Sequence, residues 1–166
     1  IIKRMSIKQD GILQKAWQSK LGNLPLKTPE EALILASIIE KETGIQSERQ
    51  IIASVFINRL RKGMPLQTDP TVIYGITKGQ KILGRGLRQS ELRKDTPWNT
   101  YLRGGLPPTP IANPGEESIF AALNPENTDF IFFVADGTGG HAFATNLRDH
   151  NKNVANWRAI ENNKKN

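Results

Sequence analysis

One apolar helix with sharply marked ends sets the terms for the rest of this chain. Thr28 is a natural N-cap, Pro29 suits the first helical position, and Glu31 completes a T-x-x-E capping box. The body of the helix is Leu33-Ile34-Leu35-Ala36-Ser37-Ile38-Ile39, and Gly44 is the expected left-handed stop. Two carboxylates, Glu40 and Glu42, fall in its last turn. At about 100° per residue, Glu42 shares a stripe with Leu35, Ile38 and Ile39, whereas Glu40 points to the opposite side with Leu33 and Ala36. Apolar surroundings and the negative end of the helix dipole both disfavour charge on Glu42. A carboxylic acid that stays protonated near neutrality is what a general acid requires. The plainer alternative is a solvated glutamate, or one paired with a base such as Arg49 or Arg59.

A second helix is expected over 48–62, opened by a Ser47/Gln50 capping box, with Ile51, Ile52, Val55, Phe56 and Leu60 on its core face and Gly63 closing it. Asp69-Pro70 reads as the cap and first position of a short helix through Tyr74. The stretch 75–110, rich in Gly, Pro, Lys and Arg, has no sustained period, and a loop of that length in a compact domain is usually functional. Asn113-Pro114-Gly115-Glu116 opens a third helix with another capping box. The apolar run 130–135 is a strand of buried type, turned by Asp136-Gly137-Thr138-Gly139-Gly140 and paired with His141-Ala142-Phe143-Ala144. A final amphipathic helix covers 147–160. Helices, a hairpin and a further helix make this an α+β domain with a small antiparallel sheet. Residues 1–27, loosely periodic and broken at Gly11, are expected to be a linker helix or the end of an upstream module, with the main domain spanning 28–166.

A chain of 166 residues can bury roughly 70% of its unfolded surface, so it needs no staple. With no cysteine and only two histidines, thiol nucleophiles, disulfides and His- or Cys-based metal centres are excluded, and no cofactor is expected. The net charge of +7 favours polyanionic partners. The basic residues are scattered, however, and no dense basic helix with interleaved aromatics marks a nucleic-acid reader, so none is expected as partner. No membrane span or signal peptide is visible, and a start at Ile1 rather than methionine suggests a piece of a longer protein.

Leu66-Gln67-Thr68-Asp69-Pro70-Thr71 gathers amide, hydroxyl and carboxylate groups beside Tyr74, a mixture suited to sugars. Thr68 and Asp69 serve equally well as helix caps. Asn99-Thr100-Tyr101 and Gly104-Gly105-Leu106-Pro107-Pro108 form a rigid loop able to line a groove. His141 and Phe143 share one strand face, with Asn146 close behind. Phosphate loops, dinucleotide fingerprints, Ser-His-Asp elbows and HExxH are all missing. A glutamate acid in a polar, aromatic-dotted cleft suits glycosidic chemistry.

Taken in order, Ala36-Ser37-Ile38-Ile39-Glu40-Lys41-Glu42-Thr43, Ala53-Ser54-Val55-Phe56-Ile57-Asn58-Arg59-Leu60 and Leu66-Gln67-Thr68-Asp69-Pro70-Thr71-Val72-Ile73-Tyr74-Gly75 closely resemble motifs of the MltG (YceG-like) endolytic murein transglycosylases. Asn99-Thr100-Tyr101, Gly105-Leu106-Pro107-Pro108, Ile111-Ala112-Asn113-Pro114-Gly115, Phe133-Val134-Ala135-Asp136-Gly137 and Gly140-His141-Ala142-Phe143 continue the resemblance, which spans about 28–151. It implies an inner-membrane, single-pass bacterial enzyme with its catalytic domain in the periplasm, its membrane helix absent here and its LysM-like module missing or reduced to 1–27. It also implies cleavage of the MurNAc–GlcNAc β-1,4 bond in nascent peptidoglycan, ending glycan strands in 1,6-anhydro-MurNAc, in cooperation with penicillin-binding synthases. The family's catalytic glutamate maps onto Glu42. Glu40, Gln67, Thr68, Asp69, Tyr74, Asn99, Tyr101, His141, Phe143 and Asn146 are the expected supporting or substrate-binding residues. Two other readings stay open: a lysozyme-like hydrolase using Glu42 with Asp69, and a wall-binding module without catalysis.

Overall fold

The computed structural model describes residues 2–165; Ile1, on which the expectation of a longer protein rested, lies outside them. Helix α2 (Pro29–Glu42) runs through the middle of the molecule. Leu35, Ile38 and Ile39 are completely buried, together with Ile52 and Phe56 of α3 (Arg49–Arg61) and Ile119 and Leu123 of α6 (Glu116–Leu123). Each such side chain contributes roughly 1.5–3 kcal/mol by leaving water. Helix α1 (Ile2–Gln18) is continuous through Gly11, contrary to the expected break, because a lone glycine weakens a helix by only about 1 kcal/mol. It adds the buried Leu13 to the same core, and Gln9 bonds Asn113 and the Pro114 carbonyl.

The start of α2 is as its sequence predicts, with the Glu31 N–H donating to Thr28 Oγ1. Its end is not. Thr43 caps it in extended conformation, and Gly44 does not take the left-handed geometry expected of a stop. The Ser47/Gln50 box is also unformed: a 3₁₀ turn (Gln46–Glu48) leads into α3 instead, and no side chain caps that helix. Gly63, with φ +65°, closes α3 as expected.

Helix α4 (Asp69–Thr77) follows, then the long connection, which contains a short α5 (Gln89–Leu92) tied down by the two-pronged Arg85–Glu91 pair. Gly75 of α4 lies so near Thr96 that a Cβ there would sit 2.4 Å from its Oγ1. Helix α6 has Gly115 as its N-cap, which offers no side-chain bond, and Asn113 is occupied with Gln9, so the expected capping box is absent. Glu40 of α2 serves in its place.

Strands β1 (Phe132–Ala135) and β2 (His141–Ala144) pair antiparallel, Phe133 opposite Phe143 and Ala135 opposite His141. The result is the α+β fold with a two-stranded sheet that the patterning predicts. The hairpin packs against α7 (Leu147–Lys165), and Phe133 meets Phe56 of α3 edge to face at 5.8 Å. Among the described residues no helix is long and apolar enough to cross a membrane, and none group as a three-ligand His/Cys/Asp/Glu metal site.

Candidate active site

The end of α2, the start of α4, the hairpin and α7 enclose a cleft of about 550 Å³. Glu42, Gln67, Asp69, Tyr101 and His141 all line it, alongside Arg59, Phe132 and His150. Glu42 is the last residue of α2, so the helix that anchors the core also fixes the acid. Burial pushes its carboxyl up from 4.5 to about 7. The nearby Asp69 charge acts in the same direction, while a hydrogen bond from Thr68 and the proximity of His141 oppose it. Near neutrality this group is poised between acid and base.

Thr68 is buried beneath the cleft rather than lining it. Its hydroxyl donates to Glu42 Oε1, and its own N–H donates to Thr100 Oγ1 at 3.1 Å. Thr100 in turn shares a 2.8 Å hydrogen bond with Thr71. The acid is therefore tied to the 99–101 loop through Thr68, whose hydroxyl meets the carboxyl and whose backbone N–H meets Thr100. Gln67 has φ +52°, a backbone conformation disfavoured outside glycine, and is held there by two bonds. Its N–H donates to the Thr100 carbonyl and its Oε1 accepts from Arg59. Asp69, exposed at the first turn of α4, accepts a 2.6 Å bond from the Tyr101 hydroxyl. Burial, followed by the Asp69 contact, pushes the Tyr101 hydroxyl far above its ordinary range, so it stays a donor.

His141 reaches the cleft from β2. Its Nδ1 lies 2.8 Å from Glu48 Oε2, and its N–H donates to Glu48 Oε1. Gly140 makes this approach possible, since a Cβ there would stand 2.7 Å from the same Glu48 oxygen.

The other expected residues sit elsewhere. Glu40 faces α6, accepting from the Ser118 hydroxyl at 2.6 Å and the Gly115 N–H at 3.1 Å, and so caps that helix from outside. Burial works to raise its pKa, yet these two bonds and the charges of Arg49 and Lys41 outweigh it and hold the carboxyl below its usual range. Tyr74 packs edge to face with Trp98 and lines a separate hollow. Asn99 is fully buried and donates to the carbonyls of Leu92 and Lys94, pinning the loop that carries Tyr101. Phe143 packs among Phe130, Phe133 and His141. Asn146 caps α7, its Oδ1 accepting from the Asp149 N–H.

Arg59, read from sequence as a base that could pair with a glutamate, organises the cleft floor. It is buried, donates to the carbonyls of Ile131, Pro65 and Leu66, and lies against the Phe132 ring. A signal existed: Arg59 lies one helical turn beyond Val55 and Phe56, on the buried face of α3. Glu48 and His150 carried no comparable signal.

Comparisons with known proteins show the family. A model of the YceG-like family matches residues 1–156. A Bacillus subtilis protein named endolytic murein transglycosylase is 42% identical over 92% of this chain and 41% of its own length. A Streptococcus pneumoniae protein of the same name is 38% identical over 77% of this chain and 24% of its own. The 2.6 Å crystal structure of a putative YceG-like protein from Listeria monocytogenes superposes with a TM-score of 0.67 at 44% identity, covering 75% of this chain and 38% of that one. The chain thus spans less than half the length of the relatives it matches.

Proposed function

The chain belongs to the YceG-like family, and on that premise we propose that it carries the catalytic part of an endolytic murein transglycosylase. The observation that bears most weight is the Glu42 carboxyl, raised to about 7 by burial and lining a cleft of about 550 Å³. In this reading the substrate is a peptidoglycan strand, cut internally at the MurNAc–GlcNAc β-1,4 bond. Protonated Glu42 gives its proton to the glycosidic oxygen as the bond to the muramoyl C1 breaks. The substrate's own N-acetyl group stabilises the developing cation, as in substrate-assisted glycosidases. Glu42, now a carboxylate, takes the proton from the muramoyl 6-hydroxyl, whose oxygen closes on C1. One carboxyl serves as acid and then base, no water is consumed, and the product ends in a 1,6-anhydro ring. The same reading carries the expectations of a periplasmic catalytic domain, a single membrane anchor elsewhere in the protein, and penicillin-binding synthases as partners whose strands it terminates.

Digestion of purified murein with the wild-type chain and with Glu42→Gln, read by mass spectrometry of the soluble fragments, tests the proposal. Wild type is expected to release anhydro-ended fragments, and the variant to lose at least about 10²-fold of the rate. Undiminished cleavage by the variant overturns the role of Glu42. Reducing ends in place of anhydro ends would favour hydrolysis, for which Asp69 in the same cleft supplies a second carboxylate. Sacculus binding without any fragments would leave a wall-binding module.

A further inference from the structure

A second hollow, of about 540 Å³, lies across the junction of α2 and α4 from the catalytic cleft. Two pairs of consecutive residues place the hollows side by side. Lys41 lines one and Glu42 the other; Pro70 lines one and Asp69 the other. Consecutive Cα atoms are about 3.8 Å apart, so the second hollow begins a single residue from the acid.

Its chemistry differs from that of the cleft. The walls are α4 and the 79–85 part of the long connection, and the lining includes Lys41, Lys81 and Arg85 but no acidic residue. Arg85 is committed to Glu91, whereas Lys41 and Lys81 form no ion pair among the described residues. Tyr74 and Ile73 line the same hollow, as does Ile82, which is 93% exposed. Tyr74 is braced by Trp98, over whose ring Lys78 Nζ stands at 3.3 Å. A neutral sugar has no use for cations beside an apolar wall. A short chain bearing carboxylates and aliphatic groups uses both.

We infer that this hollow is a subsite for the acidic peptide stem of the muramoyl residue next to the scissile bond, its carboxylates meeting Lys41 and Lys81 and its aliphatic groups lying on Tyr74 and Ile73. The inference rests on the murein reading of the cleft. A stem of three residues extends roughly 10 Å, against about 3.8 Å between the consecutive Cα atoms that line the two hollows. The basic connection then has a use: it carries the far wall of a site that tells stem-bearing strands from bare ones.

The test measures binding, with catalysis disabled by Glu42→Gln, to two probes: glycan strands bearing their stems, and the same strands stripped of stems by an amidase. Stem-bearing strands are expected to bind roughly five- to tenfold more tightly at low salt, the scale of two exposed charge contacts, and the advantage shrinks as salt is added. Adding Lys41→Gln and Lys81→Gln, both at exposed positions, is expected to abolish the advantage. Adding Lys81→Gln alone is expected to remove part of it, a graded response that distinguishes lost contacts from a lost fold. Equal binding of the two probes, no binding of either, or an advantage that survives both substitutions overturns the inference. The murein reading fails by a different observation, the lack of anhydro fragments from the wild-type chain, so the two can be told apart.

Discussion

The Thr68 hydroxyl donates to Glu42 Oε1 instead of capping the helix it precedes. A threonine before Asp-Pro would ordinarily bond the free N–H groups of the first turn. Here those groups forgo a side-chain cap, and the hydroxyl stabilises the charged form of a buried acid. The hydrogen bond lowers the carboxyl's affinity for its proton while burial and Asp69 raise it, and the balance lies at about 7.

Substitution at Thr68 therefore has a predictable sign. Thr68→Val removes the donor, so the Glu42 pKa rises further and the alkaline limb of kcat/KM moves to higher pH. Near pH 6, where the acid is already protonated, the rate reports only the loss of positioning. A pH–rate profile on soluble murein fragments checks this, and a limb moving to lower pH contradicts it.

Asp69→Asn should act in the opposite direction. The Asp69 charge raises the Glu42 pKa, and the amide leaves that effect out while keeping an oxygen for the Tyr101 hydroxyl. The alkaline limb is expected to move below pH 7. If Asp69 is instead the second carboxylate of a hydrolase, the variant loses orders of magnitude at every pH, so one profile separates the readings.

The acid is costly to the fold, with a pH window set by its shift. Glu42 titrates at 4.5 when free and at about 7 when folded, so the native state holds an extra proton between those values. Stability is then greatest below pH 4.5, falls as pH rises through the window, and is flat above 7 as far as this group is concerned. A shift of that size corresponds to roughly 3 kcal/mol. Glu42→Gln does not titrate, so its stability relative to wild type is expected to climb by up to that amount between pH 4.5 and 7.5. Urea unfolding at both pH values measures the difference, and a constant gap would mean that Glu42 is solvated.

How much of this was legible in the sequence depended on whether the determinants were local. The stripe that separates Glu42 from Glu40 is a property of one helix, and it placed the first in the cleft and the second against α6. The hairpin followed from a β-rich run and a glycine turn, although β1 begins at Phe132 and not at 130. Capping was misread wherever a distant partner intervened: Glu40 caps α6 from another helix, and Thr68 is drawn away from α4 by Glu42. Tyr74 and Asn146 lie near cleft residues in sequence, but each belongs to another local structure, an aromatic pair and a helix cap. The Glu48–His141 contact joins residues 93 positions apart, and no spacing rule announces it.

Glu40 should behave as a structural residue. Its carboxyl is held below the usual range, so the stability it supplies is present above about pH 4.5 and is lost as pH falls through its folded value. The Ser118 hydroxyl and the Gly115 N–H share one oxygen of Glu40, so Glu40→Gln keeps an acceptor for both but drops the charge at the α6 N-terminus. A loss of about 1 kcal/mol at neutral pH is expected, with murein cleavage reduced far less than by Glu42→Gln. An equal loss of activity in the two variants would show that the helix face has been misassigned.

Arg59 offers the sharpest test of how the cleft is held open. Its guanidinium satisfies the carbonyls of Ile131, Pro65 and Leu66 and the side chain of Gln67, joining the hairpin to the turn that leads into α4. Arg59→Leu keeps an apolar side chain on the buried face of α3 but leaves those acceptors without donors, and each buried orphan costs about 1–3 kcal/mol, less where water can enter from the cleft. A loss of roughly 2–4 kcal/mol is expected, with Gln67 released from its left-handed backbone and activity falling beyond what the stability loss explains. Lysine at 59 supplies charge without the guanidinium's planar fork, so it should recover only part of either loss. Full recovery by Arg59→Lys in unfolding and cleavage assays would mean that charge alone, and not the geometry of the donors, sets the floor of the cleft.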